Sequence, residues 1–385
     1  MLASGDVVLL VLGGAAVLLA VVLTVAVLGR RRAVRPAPPA PDPLTQEEEH
    51  MPLPAVVVNP TKVDDADVLR ATITRICTEH GWSEPLWIET AEDDPGAGQT
   101  REALSKGADV VMALGGDGTV RSVAEVLAGT GVALGLLPAG TGNLLARNMD
   151  ATLDDIEGSV WIALTGDDRA VDVGWMRIDE TGDERAFLVM AGFGFDAEIM
   201  ANAPEGLKAR VGPAAYVVSG LAKFNGARVR VRLKIDDEEV ITRRVRTVVI
   251  GNCGRLLGGV ALMPDAEIDD GVLDVISIAP QGVVGWAAVA GRVLTKQRKG
   301  HQRVEHWRLR SLRVATESPL EAQLDGDPIG EVSRLDVRVD HGALKVRVEA
   351  IGDSPAPRTR DAARGAGQDP SPARVAPEDD RDVRG

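Results

Sequence analysis

The residues with the clearest chemical potential in this chain sit in two glycine turns. One is Leu114-Gly115-Gly116-Asp117-Gly118-Thr119, and the other is Pro138-Ala139-Gly140-Thr141-Gly142-Asn143. Glycines at 115, 116 and 118 let the backbone approach phosphate oxygens with no Cβ in the way. Thr119 opens a helical pattern (Val120, Val123, Ala124, Val126, Leu127) whose free N–H groups face the turn. Asp117 places an anion where an anionic ligand is expected, an arrangement that makes sense with a divalent cation between the two. The second turn adds Thr141 and Asn143 as polar contacts. Together the turns read as a site for a nucleoside triphosphate.

Other polar groups fall where they can join these turns. Asn59-Pro60-Thr61-Lys62 follows a short apolar strand, and Thr90 follows a second one. In a parallel sheet such strand ends share one edge with the glycine turns. Neither GxxxxGK[ST] nor GxGxxG occurs, so a phosphate-binding P-loop is excluded and hydride chemistry loses its main support. Three later clusters remain open. Ala191-Gly192-Phe193-Gly194-Phe195-Asp196 reads either as a β-bulge or tight corner, or as a ligand loop. Glu267, Asp269, Asp270 and Asp274 surround Gly271, as in an oxygen-ligated cation site or a solvated acidic hairpin. In Gln323-Leu324-Asp325-Gly326-Asp327-Pro328 two carboxylates flank a glycine. This is either an ordinary Asp-Gly turn or a place where one carboxylate takes a hydroxyl proton and the other orients metal or phosphate.

The elements that must position these groups change character along the chain. Ala55 to Val58, Leu86 to Glu89, Asp109 to Leu114 and Val132 to Leu137 are short apolar runs, alternating with helical patterns over Asp64 to His80 and Thr100 to Lys106. That alternation predicts a parallel sheet covered on both faces. From about Val171 the period becomes two (Val229, Val231, Leu233, Ile235), which predicts a mostly antiparallel second half, a β-sandwich. The expected fold class is thus α/β: an N-terminal nucleotide-binding domain over 54–165, completed by about 334–351, and a sandwich domain over 166–333. Val7 to Leu28 is apolar enough to cross a bilayer, and Arg30, Arg31, Arg32 and Arg35 follow it. The positive-inside rule predicts residues 1–6 outside, a span over 7–28 and a cytoplasmic body behind a Pro-rich linker over 29–53. Residues 352–385 lack the apolar content to bury a core and are expected to be disordered.

A formal net charge of −14 and few aromatic residues argue against nucleic acid as a partner. Cys77 and Cys253 lie far apart without metal-ligand spacing and read as reduced, buried thiols. A basic run (Arg292, Lys296, Arg298, Lys299, Arg303, Arg308, Arg310, Arg313) with Trp286 and Trp307 is either a solvated face or a dock for anionic lipid headgroups. Self-association is left open by the sequence.

GGDGT at 115–119, PAGTGN at 138–143, AGFGFDA at 191–197, Asp269-Asp270-Gly271-Val272-Leu273-Asp274 and LDGD at 324–327 occur in one order, and in this the chain resembles bacterial lipid kinases of the diacylglycerol kinase and sphingosine kinase type. The likeness covers about 54–350; the wider superfamily shares GGDGT with NAD kinases and ATP-dependent phosphofructokinases, whereas PAGTGN points to the lipid branch. It implies an ATP- and Mg2+-dependent kinase acting on the hydroxyl of diacylglycerol or a related lipid at a membrane. Two alternatives are an NAD kinase and a membrane-anchored lipid-binding protein with weakened catalysis. By resemblance, Asn59, Pro60, Thr61, Lys62, Thr90, Gly115, Gly116, Asp117, Gly118, Thr119, Val120 and Thr141 contact ATP, with Gly140, Gly142 and Asn143 beside them from the reading of the second turn, and Glu267, Asp270 and the carbonyl of Val272 resemble a structural magnesium site. Asp327 stands where such kinases usually carry a glutamate acting as general base, one methylene shorter here, with Asp117 and Asp325 as its catalytic companions.

Overall fold

A computed structural model of the chain describes residues 51–179, 182–193, 228–255, 262–279 and 304–350. The expected membrane span at 7–28, most of the linker, the basic run up to Arg303, residues 194–197 of the AGFGFDA motif and the tail at 352–385 lie outside the described residues. Among the described residues no helix is long and apolar enough to cross a membrane.

The first half builds a parallel sheet from β1 (Pro54–Val58), β2 (Leu86–Glu89), β3 (Val110–Gly115) and β4 (Ala133–Pro138), with pairs β1–β2, β1–β3 and β3–β4. Successive side chains of a strand point to opposite faces, and both faces here are apolar. Ala55, Val57, Val111 and Ala113 join one core with Ala103, Val123, Ala124 and Leu127; Val56, Val58, Val110, Met112 and Leu114 join another with Ile73, Ile76, Cys77, Val160 and Leu164. The covering helices are α1 (Ala66–Glu79), α2 (Ala97–Ser105), α3 (Asp117–Leu127), α4 (Leu144–Asn148) and α5 (Ile156–Thr165). Asp65 and Asp155 start α1 and α5 by accepting the N–H groups of Val68 at 3.1 Å and Gly158 at 2.9 Å. Both cysteines are free and buried, and burial pushes the Cys77 thiol up to about 11.

The second half pairs its strands antiparallel: β5 (Asp167–Ile178), β6 (Glu184–Phe187), β7 (Met190–Phe193), β8 (Val229–Ile235), β9 (Ile241–Val245), β10 (Thr247–Gly251), β11 (Leu273–Ile278), β12 (Val304–Leu309), β13 (Ser311–Leu324) and the long β14 (Asp327–Val348). The period-two reading holds on β8, where Val231, Leu233 and Ile235 are buried while Arg230, Arg232 and Lys234 are exposed. It gives way on β10 and β11, which are buried along their whole length. In the AGFGFDA motif, Gly192 is a strand residue in close approach: a Cβ there would lie 2.2 Å from the Val248 carbonyl oxygen.

One strand belongs to both halves. β14 pairs antiparallel with β13 and β5, bends between Asp340 and Leu344, and brings Val346 alongside Leu134 of β4 in parallel. A single hydrogen-bonded path therefore runs β12-β11-β10-β7-β13-β14-β4-β3-β1-β2.

Candidate active site

The chain passes from β1 to β2 on one side and then crosses to β3 on the other, so strand order reverses between β1 and β3. In open α/β sheets the crevice outside the carboxyl ends of the strands at such a reversal is where ligands bind. Asn59 and the Gly115-Gly116 turn flank it. The N–H of Asn59 donates to the carbonyl of Leu114 at 2.9 Å, and that of Ala139 to the carbonyl of Gly115 at 2.9 Å. On the other side the N–H of Thr90 donates to the carbonyl of Val58 at 2.8 Å. The loops expected to meet at one edge are thus side by side. Asn59 Oδ1 accepts the N–H of Thr61 at 3.0 Å and its hydroxyl at 2.8 Å, which caps the short 3-10 turn Pro60–Lys62 and leaves Thr61 and Lys62 exposed.

The two glycine turns touch. A Cβ on Gly140 would lie 2.6 Å from the Cα of Gly116, so only glycine fits that contact. Asn143 takes a left-handed conformation (φ 47°) and braces its own turn, its Oδ1 accepting the Gly140 N–H at 3.0 Å and its Nδ2 donating to the Gly140 carbonyl at 2.8 Å. Thr119, expected as an ATP contact, is buried against Gly115. The N-cap of α3 is Gly116, which offers no side-chain acceptor, so the first-turn N–H groups remain free to meet an anion.

Asp117 departs from the expectation of a carboxylate turned to a metal in the opening. Its Oδ1 accepts the N–H of Leu144 at 2.6 Å, and its Oδ2 packs on Gly142, where a Cβ would come within 2.3 Å. It therefore stitches the first turn to the helix that follows the second. Burial pushes its pKa up to about 6; the Leu144 N–H opposes the rise, while the charges of Asp325 and Asp327 add to it.

The third part of the site comes from the β13–β14 hairpin. Asp325 (φ 48°) and Gly326 (φ 94°) form a two-residue turn with both central residues at positive φ, the geometry that matches strand twist. Asp325, expected among the catalytic residues, lies beneath this turn and not at the opening. It is buried, and its carboxylate accepts the N–H groups of Leu188 at 2.9 Å, Val189 at 2.8 Å and Met190 at 2.9 Å. Both oxygens are engaged by the protein's own backbone, and burial drives its pKa upward against the pull of Arg121 and these amides. Asp327, in contrast, is half exposed and lies on the first glycine turn, with Oδ2 3.3 Å from the position a Cβ on Gly118 would take.

Arg121 escaped the sequence reading. Its Nη2 donates to Asp327 Oδ2 at 2.9 Å and its Nη1 to the Leu324 carbonyl at 2.7 Å. The available signal was its spacing: four residues after Asp117 on α3, it shares that residue's helix face.

The acidic loop is held by cations from the protein itself. Asp265, Glu267, Asp270, Val272 and Arg308 line an opening of about 690 Å³. Arg308 is paired with Asp270, whose other oxygen accepts the Val272 N–H at 3.1 Å. Asp269 is paired with Arg169 at 2.8 Å, and buried Asp274 meets His306 at 2.6 Å. Asp172, also missed by the sequence reading, is fully buried and takes the N–H of Gly271 at 2.6 Å, His341 Nδ1 at 2.7 Å and the N–H of Gly342 at 2.7 Å.

Comparison with known proteins decides the family. Residues 54–176 match the family model for the diacylglycerol kinase catalytic domain, and residues 189–348 match the YegS C-terminal NAD kinase beta sandwich-like domain. The chain belongs to the diacylglycerol kinase and YegS-like family of lipid kinases. A probable lipid kinase YegS-like from Pseudomonas aeruginosa is 35% identical over 265 residues, covering 68% of this chain and 83% of that protein. A diacylglycerol kinase from Mycobacterium tuberculosis is 34% identical over 174 residues, 45% of this chain and 56% of that protein. A solved diacylglycerol kinase from Bacillus anthracis str. Sterne shares the fold, with a TM-score of 0.59 at 20% identity over 77% of this chain and 97% of that one. The chemistry is that of a kinase, a phosphotransferase.

For this lipid kinase the resemblance implied a structural magnesium at Glu267, Asp270 and the Val272 carbonyl. These groups do meet at one opening, yet the positive charge facing Asp270 there is Arg308. Among the described residues no group of three or more His, Cys, Asp or Glu side chains is placed to hold a metal ion. Two carboxylates and a carbonyl are donors that a hard cation accepts, but Asp270 is here engaged by Arg308.

Proposed function

We propose that the protein transfers the γ-phosphoryl group of ATP to the free hydroxyl of diacylglycerol or a closely related lipid, giving phosphatidic acid or its analogue. One observation carries this reading: Asp327, the half-exposed carboxylate of the β13–β14 turn, rests on Gly118 of the glycine turn at the strand-order reversal. A proton acceptor and a phosphate cradle are thereby adjacent, as phosphoryl transfer requires. In this scheme the backbone amides of the two glycine turns and of Asn59 to Lys62, with Thr90 and Thr141 beside them, receive ATP as its Mg2+ complex. Asp117 keeps the turns together. Asp327 accepts the hydroxyl proton as the new O–P bond forms, and the bond between the γ-phosphorus and the bridging oxygen breaks to release ADP. The apolar run at 7–28 would tether a cytoplasmic body to the membrane that holds the substrate.

The test is transfer of label from γ-labelled ATP, with and without Mg2+, in the presence of diacylglycerol, monoacylglycerol, a sphingoid base or NAD. Label in diacylglycerol alone is the expected result. Label in NAD, or in no acceptor at all, would overturn the proposal.

A further inference from the structure

Arg121 grips the β13–β14 turn at both ends. Its two acceptors, the Leu324 carbonyl and Asp327 Oδ2, belong to the first and last residues of the turn around Asp325 and Gly326. A guanidinium presents its donors in a rigid planar fork, so two such bonds fix orientation as well as distance. The arginine side chain is 15% exposed and that of Asp327 50%, so a largely buried cation holds a carboxylate whose other side is open. Oδ2 is taken up by Arg121 and lies against Gly118, whereas Oδ1 has no hydrogen-bond partner among the described residues.

We infer that Arg121 is a positioning residue for phosphoryl transfer: it turns Asp327 so that Oδ2 rests on the phosphate turn and Oδ1 is the oxygen presented to the acceptor hydroxyl. This rests on the kinase reading above. Arg121 stands on α3, the helix whose N-terminus forms the phosphate turn, while Asp327 stands on a hairpin of the antiparallel half. The grip therefore ties the proton acceptor to the element that meets the nucleotide. An aspartate has a short reach and depends on its backbone being held at the right distance. The anchor on the Leu324 carbonyl holds that backbone, and Asp325 pins the same turn from beneath through the amides of residues 188–190. Lysine at 121 would keep the charge but lose the second prong.

The experiment compares full-length wild type with Arg121→Lys, Arg121→Ala and the double variant Arg121→Ala/Asp327→Glu. Expected for Arg121→Ala is a fall in kcat of about 30- to 100-fold, the scale of a misplacement of about one ångström, with lipid KM and affinity for a non-hydrolysable ATP analogue within about threefold. Arg121→Lys should fall between, and glutamate at 327 should recover part of the loss because its longer side chain needs less help. Independently of turnover, amide hydrogen exchange at residues 324–327 should accelerate about tenfold or more in Arg121→Ala. Any of three results would overturn the inference. One is kcat within threefold of wild type; another is loss of analogue binding in step with kcat, which would make Arg121 a phosphate ligand; the last is unchanged exchange at the turn. A wild type that transfers no phosphate to lipid, with turn exchange still accelerated in the variant, would sink the kinase reading and leave the grip standing.

Discussion

The glycine edge and the acidic loop at 264–274 treat charge in opposite ways. At the glycine edge the amides at the start of α3 carry no cap, and one carboxylate, Asp327, keeps an open side. In the acidic loop nearly every carboxylate already has a counterpart: Asp269 with Arg169, Asp270 with Arg308, Asp274 with His306, and Asp172 beneath Gly271 with His341. A count of acidic residues suggested a cation site in the second region, where most carboxylates are paired although Asp274 Oδ2 is buried without a hydrogen bond, whereas the first region keeps its capacity on the open side.

Four substitutions probe that contrast. The largest effect is expected from Asp327→Asn, which keeps the size of the side chain and removes the proton acceptor: kcat should drop by about 10²- to 10⁴-fold, with ATP-analogue binding retained in calorimetry. Equal loss of binding would place Asp327 on the nucleotide instead. Gly140→Ala comes next. Its methyl group must displace the backbone at Gly116, so thermal or urea unfolding should show a loss of about 1–3 kcal/mol, the usual cost of overpacking, and KM for ATP should rise. An unperturbed variant would mean that the two turns need not touch.

The third is Asp117→Asn, and its effect is a pH dependence. The folded-state pKa of about 6 lies above the ordinary 3.8, so the native protein holds this proton more tightly than the unfolded chain does. Stability from this group is present below about pH 4 and is lost as pH rises through 6, by on the order of 3 kcal/mol in total. Asparagine carries no such charge. Its melting temperature should therefore gain on wild type between pH 4 and pH 7, and a difference that stays flat over that range would refute the buried charge. The smallest effect is expected from Arg308→Ala. Its guanidinium is half exposed, so the direct loss should be within about 1 kcal/mol. Wild type should melt at the same temperature with Mg2+ or with EDTA, whereas the variant should gain stability from Mg2+. Stabilisation of wild type by Mg2+ would show that a metal displaces Arg308.

How much of this was legible in the sequence depends on how local each constraint is. β1, β3 and β4 and the helices between them declare themselves through apolar runs that lead into asparagine or glycine turns, because a strand buried on both faces needs no partner's identity to be recognised. The glycine turns were equally readable, since GGDGT and PAGTGN are contiguous. The opposite fates of Asp325 and Asp327 were not. Two residues apart on a turn, they differ only in which side of the hairpin meets residues 188–190 and which meets α3. Arg121 and Asp172 were missed for the same reason: their partners lie 203 and 99 residues away along the chain, at Leu324 and Gly271. Arg308 was seen only as one member of a basic run, and its pairing with Asp270 turns the expected metal ligand into half of an ion pair.

The shared strand β14 bears on how such a protein can be taken apart or inherited. It begins at Asp327 beside the first glycine turn and ends next to β4, so the antiparallel half carries the strand that covers the edge of the parallel one. A fragment cut where the first family match ends, at residue 176, would leave β4 with a bare edge and the glycine turns without their facing carboxylate. Recombination at that boundary would have to exchange both pieces together, and a split version of the protein should regain its shape only when the two fragments are mixed.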